Sequence, residues 1–156
     1  MATEVKTITI TRIFDAPPEL VWKAWTEPER VMEWWGPKGY SSPTCKIDLR
    51  IGGKYLFSMQ ADDGKIIWSS GTFQKIDPPK ELVFTDNFAD ADGNVVPGGH
   101  YGFEEEFPEG RITVRFEDMG GKTKIMLTHE NMPATQSDGA TVGWSQSLDK
   151  LAEALT

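Results

Sequence analysis

The chain holds one cysteine and two histidines in 156 residues. A single cysteine, Cys45, excludes an intrachain disulfide and suits a reducing compartment. Two histidines and one cysteine do not assemble a usual zinc site. Long apolar runs are missing too. None approaches the roughly 20 residues of a membrane span, and Met1 to Lys6 has no apolar signal core. Basic residues are outnumbered, 16 Lys and Arg against 24 Asp and Glu, for a net charge of −8. That balance argues against nucleic acid as a non-specific partner, because cations are needed to neutralise phosphates. It also disfavours an anionic membrane surface. No internal repeat, low-complexity tract or linker interrupts the chain. It reads as one cytoplasmic domain over residues 1–156, a monomer or weak dimer, large enough to form a core without staples.

Several chemical signatures are also lacking. Gly98-Gly99-His100-Tyr101-Gly102 is not followed by the Lys-Ser/Thr pair of a phosphate loop. Asp90-Ala91-Asp92-Gly93-Asn94 resembles part of a calcium loop, but Phe88 and Gly99 stand where oxygen ligands are required, so a plain Asp-Gly turn is expected. No serine sits in a nucleophile elbow. No catalytic set, metal or cofactor is predicted.

Aromatic residues are plentiful, with six Trp and eight Phe. Alternation of apolar and polar residues marks strands at Thr7 to Phe14, Thr44 to Arg50, Lys54 to Gln60, Ile66 to Ile76, Glu81 to Asp86, Arg111 to Glu117 and Lys122 to Glu130. Gly71 suggests a bulge. After the first strand, Pro17-Pro18 opens a short helix carrying Leu20, Val21, Ala24 and Trp25. Thr26 and Glu29 have the spacing of a capping box for a second helix with Val31, Met32 and Trp35. Asn87 to Gly102 reads as a loop. From about Asp138 the period changes, and Trp144, Leu148, Leu151 and Leu155 form one helical stripe. These elements define an α+β class with helices on one face of an antiparallel sheet. A long sheet twists and curls, and a helix about 10–12 Å across does not fill a wide concave face. Large side chains, water or a ligand must occupy the remainder, which points to a mostly apolar pocket.

Ile10-Thr11-Arg12-Ile13-Phe14-Asp15-Ala16-Pro17-Pro18, Val21-Trp22-Lys23-Ala24-Trp25-Thr26 and Trp34-Trp35-Gly36-Pro37 resemble the opening of the family named for the activator of heat-shock protein 90 ATPase, within the START-like (SRPBCC) superfamily. Asp48-Leu49-Arg50-Ile51-Gly52-Gly53, Gly71-Thr72-Phe73, Ile76-Asp77-Pro78-Pro79, Thr128-His129-Glu130-Asn131 and Gly143-Trp144 with Leu148-Asp149-Lys150-Leu151 extend the resemblance along the chain. It implies the helix-grip fold, in which a curved antiparallel sheet of about six or seven strands grips a long C-terminal helix over a hydrophobic cavity, with two short helices after the first strand. It does not imply one ligand.

Within that frame Trp25, Tyr55, Phe57, Phe84, Phe116 and Trp144 fall on the inward parity, and with Trp68 they are candidate cavity walls. Each taken singly is equally a core residue. His129 shares the parity of Ile125 and Leu127, as a site for a polar ligand group, an acid or base, or a hydrogen-bonded histidine at the core's rim. Arg12 shares the parity of Ile8, Ile10 and Phe14 and needs a carboxylate partner, with Glu130 and Glu104 the candidates. The glycine-rich loop suits a lip over the cavity mouth. Three functions remain open: binding of a hydrophobic or amphipathic small molecule; a co-chaperone-like role with a chaperone partner, which exposed Trp34 and Trp35 would favour; and an enzyme on a hydrophobic substrate with His129 as acid or base, aided by Glu130 or Arg12.

Overall fold

The structure, a computed structural model, describes residues 4–155; the ends of the expected 1–156 domain, residues 1–3 and 156, lie outside the described residues. Strand β1 (Val5–Phe14) leads into helices α1 (Pro18–Thr26) and α2 (Pro28–Val31). Strands β2 (Tyr40–Ser41), β3 (Cys45–Ile47), β4 (Lys54–Ala61), β5 (Ile66–Asp77), β6 (Glu81–Ala89), β7 (Gly110–Asp118) and β8 (Thr123–Pro133) follow, and helix α3 (Ser137–Ala154) closes the chain. All pairings are antiparallel. The eight-stranded sheet runs β1-β8-β7-β6-β5-β4-β2, with β3 also on β4. It curls around α3 in the helix-grip arrangement. The count exceeds the expected six or seven because β2 is a two-residue strand without a readable period.

Three local expectations are corrected. Thr26 does not cap a helix; it is the last residue of α1, and its hydroxyl donates to the Trp22 carbonyl, 2.9 Å away. Gly71 is not the bulge. The register of β5 on β6 shifts between Phe73 and Lys75, whereas at Gly71 an added Cβ would lie 1.9 Å from the Thr85 carbonyl oxygen, so glycine lets the two strands approach. The expected loop at Asn87 is the end of β6, which runs to Ala89; the loop itself contains a 3₁₀ turn at Gly98–Tyr101. There the Asp90 carboxylate accepts from the backbone N–H groups of Asp92 and Asn94, the Asp-Gly turn read from sequence.

The core lies between the sheet's inner face and α1, α2 and α3. Val21, Trp34, Leu82, Ile112, Val114, Ile125, Leu127, Leu148 and Leu151 are buried. Alternation explains the strand contributions, since every second side chain turns inward. Polar ties fix α3 on both flanks. Arg12 on β1 donates to Asp149 Oδ1 at 2.7 Å. Lys150 Nζ donates to the carbonyls of Gly36 and Tyr40 at 2.9 and 3.0 Å, and its partial burial lowers its pKa. Among the described residues no helix is long and apolar enough to cross a membrane.

Candidate functional site

A cavity of about 350 Å³ lies under the first half of α3, within the ~300–1,000 Å³ range of small-molecule pockets. Much of its roof is small residues, beside Gln136 and Trp144. Gly139, Ala140, Gly143 and Ser147 line it, one and two turns apart, so helical spacing puts them on one face. An added Cβ at Gly139 or Gly143 meets nothing within 4 Å. On the sheet side Met59, Ile67 and Ser69 come from β4 and β5, Asp86 and Phe88 from β6, and Gly110 and His129 from β7 and β8. One rim is aromatic. Phe88 meets Phe103 and Phe107 at ring-centre distances of 5.3 and 4.9 Å, and both loop residues line the cavity.

A polar chain crosses the sheet side of this space. Trp144 donates its indole N–H to His129 Nδ1 at 3.1 Å. Indole is a donor only, so the neutral ring carries its proton on Nε2. Nε2 lies 3.9 Å from Asp86 Oδ2, too far for a direct hydrogen bond. The other oxygen, Oδ1, accepts from the Tyr55 hydroxyl at 2.9 Å, which also lies 2.7 Å from the Thr85 carbonyl oxygen. Burial pushes the His129 pKa down to about 4. Burial pushes Asp86 up to about 6, outweighing the Tyr55 hydrogen bond, which lowers it. Tyr55 itself is raised well above the usual tyrosine range by burial and then by the charge of Asp86. At neutral pH the pair is a neutral imidazole presenting a donor and a carboxylate presenting an acceptor.

His129 and Trp144 are the sequence-expected wall residues that face the cavity. Trp25, Tyr55, Phe57, Phe84 and Phe116 are buried in the core instead. Trp25 packs on Trp34 with ring centres 4.6 Å apart, and Phe116 on Trp22 at 5.3 Å. Trp68 is on the opposite parity from Ile67 and Ser69, so its side chain leaves the cavity face; its backbone N–H bonds the Tyr101 hydroxyl. Arg12 does turn toward the helix, but its partner is Asp149 rather than Glu130 or Glu104. Glu130 is held by Arg111 in a two-pronged pair at 2.6 and 2.9 Å, on the parity opposite His129. Neither Arg12 nor Glu130 lines the cavity. Trp34 and Trp35 are both buried, 0% and 8% exposed, so they offer no exposed apolar patch to a partner. Burial, with Glu29 nearby, pushes the Cys45 thiol up to about 12, so no thiolate is available near neutrality. Among the described residues no cluster of His, Cys, Asp or Glu suits a metal ion.

Asp86, Gly110, Gly139 and Gly143 were not read as site residues. Asp86 continues the inward parity of Leu82 and Phe84, and Gly139 and Gly143 stand four apart at the start of the last helix. Those were the available signals.

The family model described as "Activator of Hsp90 ATPase homolog 1-like protein" matches residues 15–156. The chain belongs to this family. None of the curated proteins matches it. Among solved structures, a protein from Staphylococcus epidermidis is 26% identical with a TM-score of 0.74, over 99% of this chain and 93% of its own. Another from Chromobacterium violaceum is 25% identical with a TM-score of 0.77, over 96% and 97% of the two chains. A third, from Arthrobacter aurescens, is 24% identical with a TM-score of 0.81, over 99% and 92%, and speaks for the fold alone. These likenesses support the helix-grip architecture at nearly full length and assign no ligand.

Proposed function

We propose that the protein is a single-domain binder of a hydrophobic or amphipathic small molecule, held in the cavity between the sheet and the first half of α3. The observation that carries this is the cavity of about 350 Å³, walled mainly by apolar side chains with Asp86 and His129 converging on it. A few placed polar groups in an apolar concavity are what small-molecule sites have in common. The family name raises a chaperone partner as a second possibility, but the burial of Trp34 and Trp35 removes the surface that would favour it. Acid–base catalysis by His129 is also less well supported. Its Nδ1 lone pair is taken by Trp144, so it offers the cavity a proton donor rather than a base.

A ¹H–¹⁵N titration against fatty acids, sterols, flavonoids and polyketide-like aromatics tests the binding role. The expected result is saturable shifts at Asp86, Gly110, His129 and Gly139 to Ser147 for at least one class. Shifts confined to exposed strand residues, or none across the panel, would overturn it.

A further inference from the structure

We propose that the cavity selects ligands bearing a neutral hydroxyl, seated between Asp86 Oδ2 and His129 Nε2. This rests on the cavity being a ligand site and names the polar group of what it takes. Four observations converge. The first is spacing. Two atoms 3.9 Å apart are too distant to satisfy each other, but one oxygen can lie about 2.8–3.0 Å from both. The second is complementarity. With Nδ1 accepting from Trp144, Nε2–H is a donor, and Oδ2 is an acceptor whose companion Oδ1 is already bound by Tyr55. A hydroxyl both accepts and donates, and so answers both atoms.

The third is access. Gly110 lies beside the pair, and a Cβ there would come within 2.9 Å of His129 Nε2. The missing side chain keeps that face of the ring open to the cavity. The fourth is charge. A carboxylate ligand would meet Asp86 and, in the adjoining depression that shares Phe103, Phe107 and Asn131, Glu104, Glu105 and Glu106. The chain carries a net −8 besides. An ammonium ligand would pair with Asp86 but cannot accept from Nε2–H, leaving that buried donor unmatched. The pKa directions agree: His129, pushed down to about 4, stays neutral near pH 7, and Asp86, pushed up to about 6, remains mostly an acceptor there.

The test holds the ring constant and changes the polar group. 2-Naphthol, naphthalene, 2-naphthoate and 2-naphthylmethylammonium are titrated into ¹⁵N-labelled protein at pH 7. The expected result is shifts at Asp86, Gly110 and His129, with 2-naphthol binding at least about tenfold tighter than each of the other three, as two hydrogen bonds including one to a charged group imply. In Asp86→Ala the Tyr55 hydroxyl keeps the Thr85 carbonyl. There the preference for 2-naphthol over naphthalene, measured on the same variant, should fall at least about threefold, with only the His129 Nε2–H bond remaining. Cavity shifts with equal affinities across the series, or tightest binding of the ammonium, would overturn the hydroxyl preference while leaving the cavity as a binding site. No cavity shift with any of the four would overturn both. The wild-type ratios decide the matter even if the variant folds poorly.

Discussion

The two halves of α3 meet different surroundings on the sheet's inner face. Its second half carries Leu148 and Leu151, both fully buried in the core cluster that also holds Ile125, Leu127 and Phe116 of β8 and β7. Its first half presents Gly139, Ala140 and Gly143 to Asp86, Gly110 and His129. At that end the helix sets small residues beside Trp144, and the sheet adds polar Asp86 and His129 to Met59, Ile67 and Phe88. A void left by one missing side chain is destabilising, because its neighbours relax only partly into it. This one is bordered by Gly139, Ala140 and Gly143 on the helix and by Ser69 and Gly110 among the sheet residues. Nearby, Trp144 is fixed by Trp35, with ring centres 5.5 Å apart, and by its bond to His129. The second half of α3 is packed into the core, and the first half borders the cavity.

Substitution should expose that asymmetry. Leu151→Ala at the filled end should lower unfolding free energy by about 2–5 kcal/mol, measured by urea denaturation, because a closely packed site does not collapse around a lost side chain. A loss below about 1 kcal/mol would mean the two ends are packed alike.

Asp86 gives a smaller effect with a pH signature. Its folded pKa is about 6 against an ordinary 3.8. Between those values the folded state keeps a proton that the unfolded state releases, so the group's contribution is present below pH 4 and lost as pH rises through 6. Asp86→Asn has no such loss. Relative to wild type it should gain about 1–3 kcal/mol between pH 4 and pH 7, read from denaturation curves at both pH values. A constant difference would place Asp86 in an ordinary, solvated setting.

The smallest effect belongs to the roof. Gly143→Ala puts a methyl group where nothing lies within 4 Å, and it removes a helix-interior glycine. Thermal melts should show stabilisation of about 0.5–1 kcal/mol. Destabilisation would mean that the roof is closed rather than open.

Sequence periodicity carried the architecture because it depends on one-face burial, which alternation records directly: Tyr55, Phe57, Phe84, Ile112, Val114, Ile125 and Leu127 are all inward, as their parity requires. Parity does not say which inward residue meets a neighbour and which meets space. Phe84 and His129 are both inward, yet only His129 faces the cavity. That depends on what stands opposite: across from His129 the helix carries Trp144, which bonds its Nδ1, and beside Trp144 in the chain Gly143 leaves space. Trp68 stands on the parity opposite Ile67 and Ser69 and so lies off the cavity face, and Arg12 pairs with Asp149 because helix rotation over β1, which sequence does not fix, sets its partner.

The most direct measurement of the central claim is a ¹³C methyl spectrum recorded while 2-naphthol is added. Met59, Ile67 and Met132 line the cavity, and Leu127, Leu148 and Leu151 fill the opposite end. The account predicts saturable shifts of the first three methyl sets, with the leucine methyls nearly still. Movement of the leucines alone, or no movement in either group, would contradict it.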